Sequence, residues 1–209
     1  MTADLLTLTQ WLSPAFPVGA YAYSHGLEAA VLAGDVTDAA SLQEWLGDVL
    51  ALGAGRADAT LLSAAHRGED CGALSDTARA LCASRERWAE TMDQGRAFAA
   101  AAMATGDDIA AMPYPVAVGV AARRLSLATE TVAALYLHGF TSTLVSAAVR
   151  FVPLGQSDGQ GVLSRLHPVI EQVAAEAATA EVADIASAVF AADIAAMAHE
   201  TLEVRIFRT

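Results

Sequence analysis

The 209-residue sequence contains no lysine, and its twelve basic residues are all arginine. Three kinds of site need a lysine: the phosphate-binding loop of P-loop NTPases, the nucleotide site of protein kinases and the Schiff base of pyridoxal enzymes. Twenty-four acidic residues bring the net charge to −12, so no basic stripe is available to bind a polyanion. The composition therefore excludes these lysine-dependent sites and argues against nucleic-acid binding.

Cysteine is almost as scarce, with only Cys71 and Cys82, which form neither a C-x-x-C motif nor a disulfide framework. The first residues include Asp4 and no basic group, unlike a secretory signal peptide. The stretch from Thr131 to Val149 has no charged residue, but it carries several polar side chains and no basic flank precedes it. We expect a cytoplasmic protein with reduced thiols, in which this stretch is the central helix of a soluble bundle.

Aromatic residues make up only 6% of the chain, and no run of β-branched residues alternates with period two. Alanine occurs 49 times, and it is the best helix former and a poor strand former. The sequence therefore predicts one all-α domain, a bundle of about ten helices spanning residues 1–199. Residues 200–209 break the helical pattern and predict a polar tail that is flexible until a partner binds, with Ile206 and Phe207 exposed.

Metal-ligating and catalytic patterns are sparse. The chain has five histidines without an H-x-x-x-H pair, and it lacks the paired Glu-x-x-His motifs of a di-iron bundle. We expect no catalytic residue, no metal ligand set and no tightly bound cofactor. One alternative stays open: a helical enzyme of unknown substrate in which His25 and Glu28, three residues apart, form an acid–base pair.

Rigid segments rich in proline, glycine and aromatic residues stand out instead. Such segments would expose Phe16, Tyr21, Tyr23 and Phe207, and aromatic side chains contribute strongly to protein interfaces. The last predicted helix has apolar residues, among them Phe190, Ile194 and Met197, on one face, and its other positions are largely alanine, which lets neighbouring helices approach closely. These patterns favour a protein that works through contacts with other proteins.

At these segments the sequence resembles the urease accessory protein UreF family. The similarity is carried by four motifs in the family's order: Trp11–Glu28 (WLSPAFPVGAYAYSHGLE), Tyr114–Gly119 (YPVAVG), Val149–Gln156 (VRFVPLGQ), and the tail with His199-Glu200 and Arg205–Thr209 (RIFRT). The chain departs from the family at Tyr114, where many members have histidine nearby, and in its last residues, which commonly read Leu-Phe-Arg-Ser.

The resemblance implies an all-α, dimeric scaffold without turnover of its own. Such a protein binds UreD (also called UreH), recruits the GTPase UreG and supports nickel insertion into apo-urease, with a proposed role in gating GTP hydrolysis. Carried over residue by residue, it implies partner contacts at Arg150, Gln156, Arg205, Phe207 and Arg208. It implies a role in the fold and in complex geometry for Pro17, Gly19, Tyr21, Tyr23, Ser24, His25, Gly26 and Glu28.

Overall fold

The computed structural model describes residues 1–104, 106 and 108–209, and all regular elements of this part of the chain are helical. Within these described residues, ten α-helices follow one another as α1 Thr2–Trp11, α2 Leu27–Ala33, α3 Ala39–Leu52, α4 Ala54–Arg67, α5 Cys71–Leu81, α6 Arg85–Ala104, α7 Tyr114–Ala122, α8 Thr129–Ala148, α9 Gln156–Thr179 and α10 Phe190–His199. Two short 3-10 helices, Ala20–Ala22 and Val182–Asp184, precede α2 and α10. The predicted all-α fold is confirmed.

Local sequence explains most helix ends. Gly34 and Gly68 close α2 and α4 in the left-handed conformation that glycine adopts without a steric penalty. Asp38 caps α3 by accepting hydrogen bonds from the amides of Ala40 and Ser41. The spacing from Ser41 to Glu44 predicts a capping box that starts at Ser41. Ser41 is instead the third helical residue of α3, and its hydroxyl accepts a hydrogen bond from the Asp38 amide, which completes a box that starts at Asp38.

Two predicted helices are shorter than their periodicity suggested. The sequence pattern predicts a helix from about Tyr21 to Ala33, but α2 starts only at Leu27, after Ser24–Gly26, where His25 and Gly26 both have positive φ angles. The helix expected from Val182 begins only at Phe190. The helix expected to end near Thr105 ends at Ala104, and Thr105 itself lies outside the described residues.

Two helices occupy the centre of the bundle. α4 packs against α3, α5, α7, α8 and α9, and α8 packs against α9, α4 and the N-terminal elements. The main core consists largely of leucine, alanine and valine side chains, with Trp11 and Phe98 in edge-to-face contact. Gly119 lies where a Cβ atom would come within 2.3 Å of the Leu62 carbonyl oxygen, so its missing side chain lets α7 approach α4 closely.

The helix that contains residues 131–148 contributes Val132, Leu137 and Leu144 to this core. Within the described part of the chain, no helix combines the length and the apolarity that crossing a bilayer would need.

Candidate functional site

The segment from Tyr23 to Glu28 joins the N-terminal loop to α2 and contacts the C-terminal part of the chain. Gly26 has φ +79°, and a Cβ atom there would lie 2.7 Å from the amide nitrogen of Ala196 in α10. Only glycine satisfies both the left-handed backbone and this close approach. The glycine of the motif therefore lets α10 pack directly on the start of α2.

Glu28, in the first turn of α2, is buried and binds the C-terminal tail. Its carboxylate accepts hydrogen bonds from the amides of Ile206 and Phe207, at 2.9 and 3.0 Å, and lies 3.2 Å from Nε2 of His199. Nδ1 of His199 lies 2.7 Å from Glu86 of α6. A carboxylate that accepts from two main-chain amides fixes the backbone of the tail at that point.

The last residue is held by the same segment. The Ser24 amide donates to the main-chain oxygen of Thr209 at 2.8 Å, and the Ser24 hydroxyl donates to the same oxygen. The Thr209 hydroxyl donates to Glu90 of α6 at 3.0 Å and accepts from the amide of His25. We call this region the tail site; it comprises Tyr23–Glu28, Glu86, Glu90, His199 and residues 205–209.

Arginine side chains border the tail site. Arg150 lies 5.7 Å from the ring centroid of Phe207 and donates to the carbonyl oxygen of Tyr21 at 3.3 Å. Arg208 lies over the ring of Tyr23 at 5.8 Å, and its amide donates to the carbonyl oxygen of Ala22. The structure thus brings together residues from three motifs that are far apart in the sequence.

A second arginine of the tail pairs with an acidic residue. The Arg205 guanidinium donates to the carboxylate of Glu86, which already contacts His199. At the start of α6, the Glu200 carboxylate accepts from the amides of Arg85 and Glu86 at 2.6 and 3.2 Å. Both ends of residues 200–209 are therefore attached to α6.

Beneath the tail site lies a buried ion cluster in which Arg87 of α6 contacts Asp58 at 3.1 Å and Glu90 at 3.4 Å. Although burial opposes ionisation, Arg87 and the contacts with His25 and Thr209 lower the pKa of Glu90 to about 2. Burial raises the pKa of Asp58 despite its contact with Arg87. The hydroxyl of Tyr136 donates to Asp58 at 2.9 Å, so the buried carboxylate has two donors.

Several aromatic side chains are less exposed than the sequence analysis expected. Tyr21 is 69% exposed, whereas Phe16, Tyr23 and Phe207 are buried. Phe207 packs against Phe151 with ring centroids 5.1 Å apart. The expectation that all four would be exposed is wrong for these three. Phe16 packs against Phe98 in the main core, and Tyr23 and Phe207 are covered where the N-terminal segment meets the tail.

The proposed acid–base pair is not formed in the structure. Nδ1 of His25 lies 3.7 Å from Glu90 and has no hydrogen-bond partner among the described residues, while Glu28 is engaged by His199 and the tail amides. The geometry therefore does not support the helical enzyme considered as an alternative.

The other motif residues lie outside these contacts. Gln156 is exposed at the first position of α9, and Pro17 is exposed before Gly19, whose φ is +71°. The flexibility of the tail in the free chain stays a prediction. A tail that moved away from the domain in the free chain would break the contacts of the tail site.

The outer face of α10 is apolar and exposed. Phe190, Ile194 and Met197 are 72%, 60% and 48% exposed, and their spacing places them along one stripe of the helix. The buried face of α10 is instead formed by Ala192, Ala195, Ala196 and His199. The alanine positions of α10 are therefore the ones that pack closely on Gly26, and the larger apolar residues face outward.

Sequence reasoning missed Glu86, Arg87, Glu90 and Asp58, which carry most of the charge in and below the tail site. The one available signal was Asp58, a charged residue in the middle of the apolar pattern of α4. Among the described residues, no three or more His, Cys, Asp and Glu side chains come together as a group that could hold a metal ion.

Comparison with known proteins gives a consistent result. The model of a protein family described as UreF matches residues 36–167. The urease accessory protein UreF of Cereibacter sphaeroides (strain KD131 / KCTC 12085) is 60% identical over the full length of both chains. The proteins of the same name from Jannaschia sp. (strain CCS1) and Ruegeria pomeroyi are 57% and 46% identical, over 96% and 97% of their lengths and 100% and 99% of this chain.

Proposed function

Because the chain belongs to the UreF family of urease accessory proteins, we propose that it is a non-catalytic cytoplasmic scaffold for urease maturation. In this role it binds UreD/UreH as a homodimer, recruits the GTPase UreG and supports nickel insertion into apo-urease. It holds no cofactor of its own.

The observation that carries this proposal is the exposed apolar stripe of α10. Three large apolar side chains on one helix face cost free energy in water, at roughly 25 cal/mol per Å² of apolar surface, and a protein partner would remove them from it. We assign this stripe to the contact with UreD/UreH. The stripe is anchored to the rest of the protein through α2, so a partner bound there would also contact the neighbourhood of the tail.

The arginines around the tail site support a second contact. Arg150 and Arg208 are fixed by aromatic rings, and Arg205 by Glu86, so their positions are set before a partner arrives. We assign Arg150, Arg205 and Arg208 to the surface that meets UreG, with Gln156 nearby in sequence. A guanidinium at such a surface can pair with a carboxylate or a phosphate of a partner.

Co-purification tests the proposal. The chain is co-expressed with tagged UreD/UreH and with UreG, and the retained proteins are quantified for the wild type, for Ile194→Ser and for Leu6→Ser. Leu6 of α1 is a matched control, since it is exposed to 67% and lies on another helix. We expect Ile194→Ser to reduce retention at least tenfold and Leu6→Ser to leave it unchanged.

Two results would overturn the proposal. If the wild-type chain is not retained by UreD/UreH, the scaffold role fails. If the purified chain alone hydrolyses GTP, and a variant such as Arg150→Ala removes that activity, the protein is an enzyme. Measured in the complex, Arg150→Ala should change the GTPase rate of UreG without loss of assembly, and an unchanged rate would remove Arg150 from the contact.

A further inference from the structure

His138 of α8 and His167 of α9 lie side by side on the surface of the bundle. Their ring centroids are 5.5 Å apart and the ring planes are inclined by 45°. α8 and α9 follow one another in the chain and pack against each other. His138 and His167 are separated from the loop between these helices by nearly the same number of residues. The histidines are therefore opposite one another in a helical hairpin, an arrangement that their separation in the sequence does not reveal.

Both imidazoles are available for a ligand. His138 is half-buried and His167 is exposed, and within the described part of the chain neither ring nitrogen forms a hydrogen bond to the protein. Burial and the proximity of His167 lower the pKa of His138, which favours its neutral form. The neutral imidazole is the form that coordinates metal ions.

From these observations we propose that His138 and His167 form a binding site for one divalent transition-metal ion of the class that prefers imidazole, such as Cu²⁺, Ni²⁺ or Zn²⁺. The inference rests on the histidine pair and does not depend on the proposed scaffold role.

The distance between the rings fits such an ion. With one nitrogen of each ring turned towards the ion, a metal 2.0–2.1 Å from that nitrogen would lie about 3.2 Å from each ring centroid, and centroids 5.5 Å apart would then enclose an angle of about 120° at the metal. This is close to the tetrahedral angle, and a small rotation of the exposed His167 ring would reach it. Two positions on packed helices also reduce the conformational entropy lost on binding.

The charge around the pair favours a cation. Glu171 lies one turn after His167 on α9, and the chain as a whole carries a net charge of −12. No third side chain completes a cluster among the described residues, so water fills the remaining coordination positions. The site is therefore an open one, in which a bound ion can exchange.

Isothermal titration of the untagged full-length chain tests the site, with Cu²⁺, Ni²⁺, Zn²⁺ and Mg²⁺ as separate probes. The variants are His138→Gln and His167→Gln, with His66→Gln as the control that removes an imidazole bonded elsewhere, to Thr129. We expect one Ni²⁺ or Zn²⁺ ion per chain, at least tenfold weaker binding in each of the first two variants, and wild-type binding in the control. Cu²⁺ should bind more tightly than either ion, and Mg²⁺ should not compete.

Imidazole nitrogen spectra of the wild type provide a second measurement that needs no variant. Zn²⁺ should shift the ring resonances of His138 and His167 and leave those of His25, His66 and His199 in place. The proposal is overturned if the wild type binds no Ni²⁺ or Zn²⁺, if only one of the two histidines affects binding, or if Mg²⁺ competes equally. Failure of the co-purification experiment would leave these results unaffected, because no partner protein is present.

Discussion

The interface between α8 and α9 and the tail site both bury side chains, but different forces hold them. Leu137, Val162 and Leu166 are almost fully buried among other apolar side chains. In the tail site the contacts are hydrogen bonds and ion pairs to Glu28, Glu86 and Glu90. Apolar burial tolerates changes of side chain that keep the volume, whereas a polar network depends on each donor having its acceptor. The two regions should therefore respond differently to substitution and to pH.

The largest loss of stability is expected in the apolar region. Leu137→Ala removes a fully buried side chain from α8 and leaves a cavity, which should cost about 2–5 kcal/mol. Urea unfolding measures the change, with Leu6→Ala as an exposed control that should shift stability by less than ~0.5 kcal/mol. A small effect of Leu137→Ala would mean that α8 is not part of the main core.

The free energy of unfolding contributed by the buried ion cluster depends on pH. The pKa of Glu90 is about 2 in the folded protein, so its ionised form contributes stability above pH ~4.5 that is lost as the pH falls toward 2. The contribution is on the order of 3 kcal/mol. Asp58 has a raised pKa and acts in the opposite direction, since its protonation at low pH relieves a cost of burial.

Unfolding of the wild type and of Glu90→Gln at several pH values measures this contribution. We expect the variant to be less stable at pH 6, with a difference that shrinks as the pH falls to 3. A difference that does not change with pH would show that Glu90 titrates normally and that the ion cluster does not stabilise the ionised form.

Glu28→Gln tests the attachment of the tail with a smaller expected effect. The amide side chain keeps its shape but offers one accepting oxygen instead of two, so a buried donor in His199 or the tail amides loses its partner, at a cost of about 1–3 kcal/mol. Glu44→Gln is the matched control, because Glu44 is exposed on α3. Equal free energies of unfolding of Glu28→Gln and Glu44→Gln would show that the attachment of the tail does not stabilise the folded domain.

The smallest effect on stability is expected on the outer face of α10. Ile194→Ser changes a side chain that is mostly exposed, so its unfolding free energy should stay within ~0.5 kcal/mol of the wild type. Thermal unfolding measures it. A large loss would mean that the stripe already packs within the protein, and the partner contact proposed for it would then be wrong.

The sequence predicted the all-α fold well because helix propensity and apolar periodicity are local signals. The glycines at 53 and 55 predict a kink at one or the other, and the chain breaks between α3 and α4 at Gly53. The sequence makes Thr129 a candidate N-cap for the central helix, but the N-cap is Ala128 and Thr129 is the first helical residue. Helix propensity and apolar periodicity could not predict which face of α10 packs against the rest of the protein. Its larger residues form the more apolar stripe, yet the close approach at Gly26 selects the alanine face for packing.

The tail site could be predicted only in part. The resemblance pointed to residues of the N-terminal motif and of the tail, but nothing in the sequence shows that Glu28 accepts from amides almost 180 positions away. Glu86 and Glu90 looked like ordinary surface charges of a helix. Contacts of this kind depend on the whole chain being folded, and local patterns do not encode them.

Hydrogen exchange in the free protein tests the account most directly, because its central claim is that Glu28 holds the tail against the start of α2. The amides of Ile206 and Phe207 should exchange at least tenfold more slowly than that of Val204, which is 80% exposed. The protection should disappear in Glu28→Gln and increase when UreD/UreH binds. Exchange of Ile206 and Phe207 at the rate of an unstructured peptide in the wild type would contradict the account.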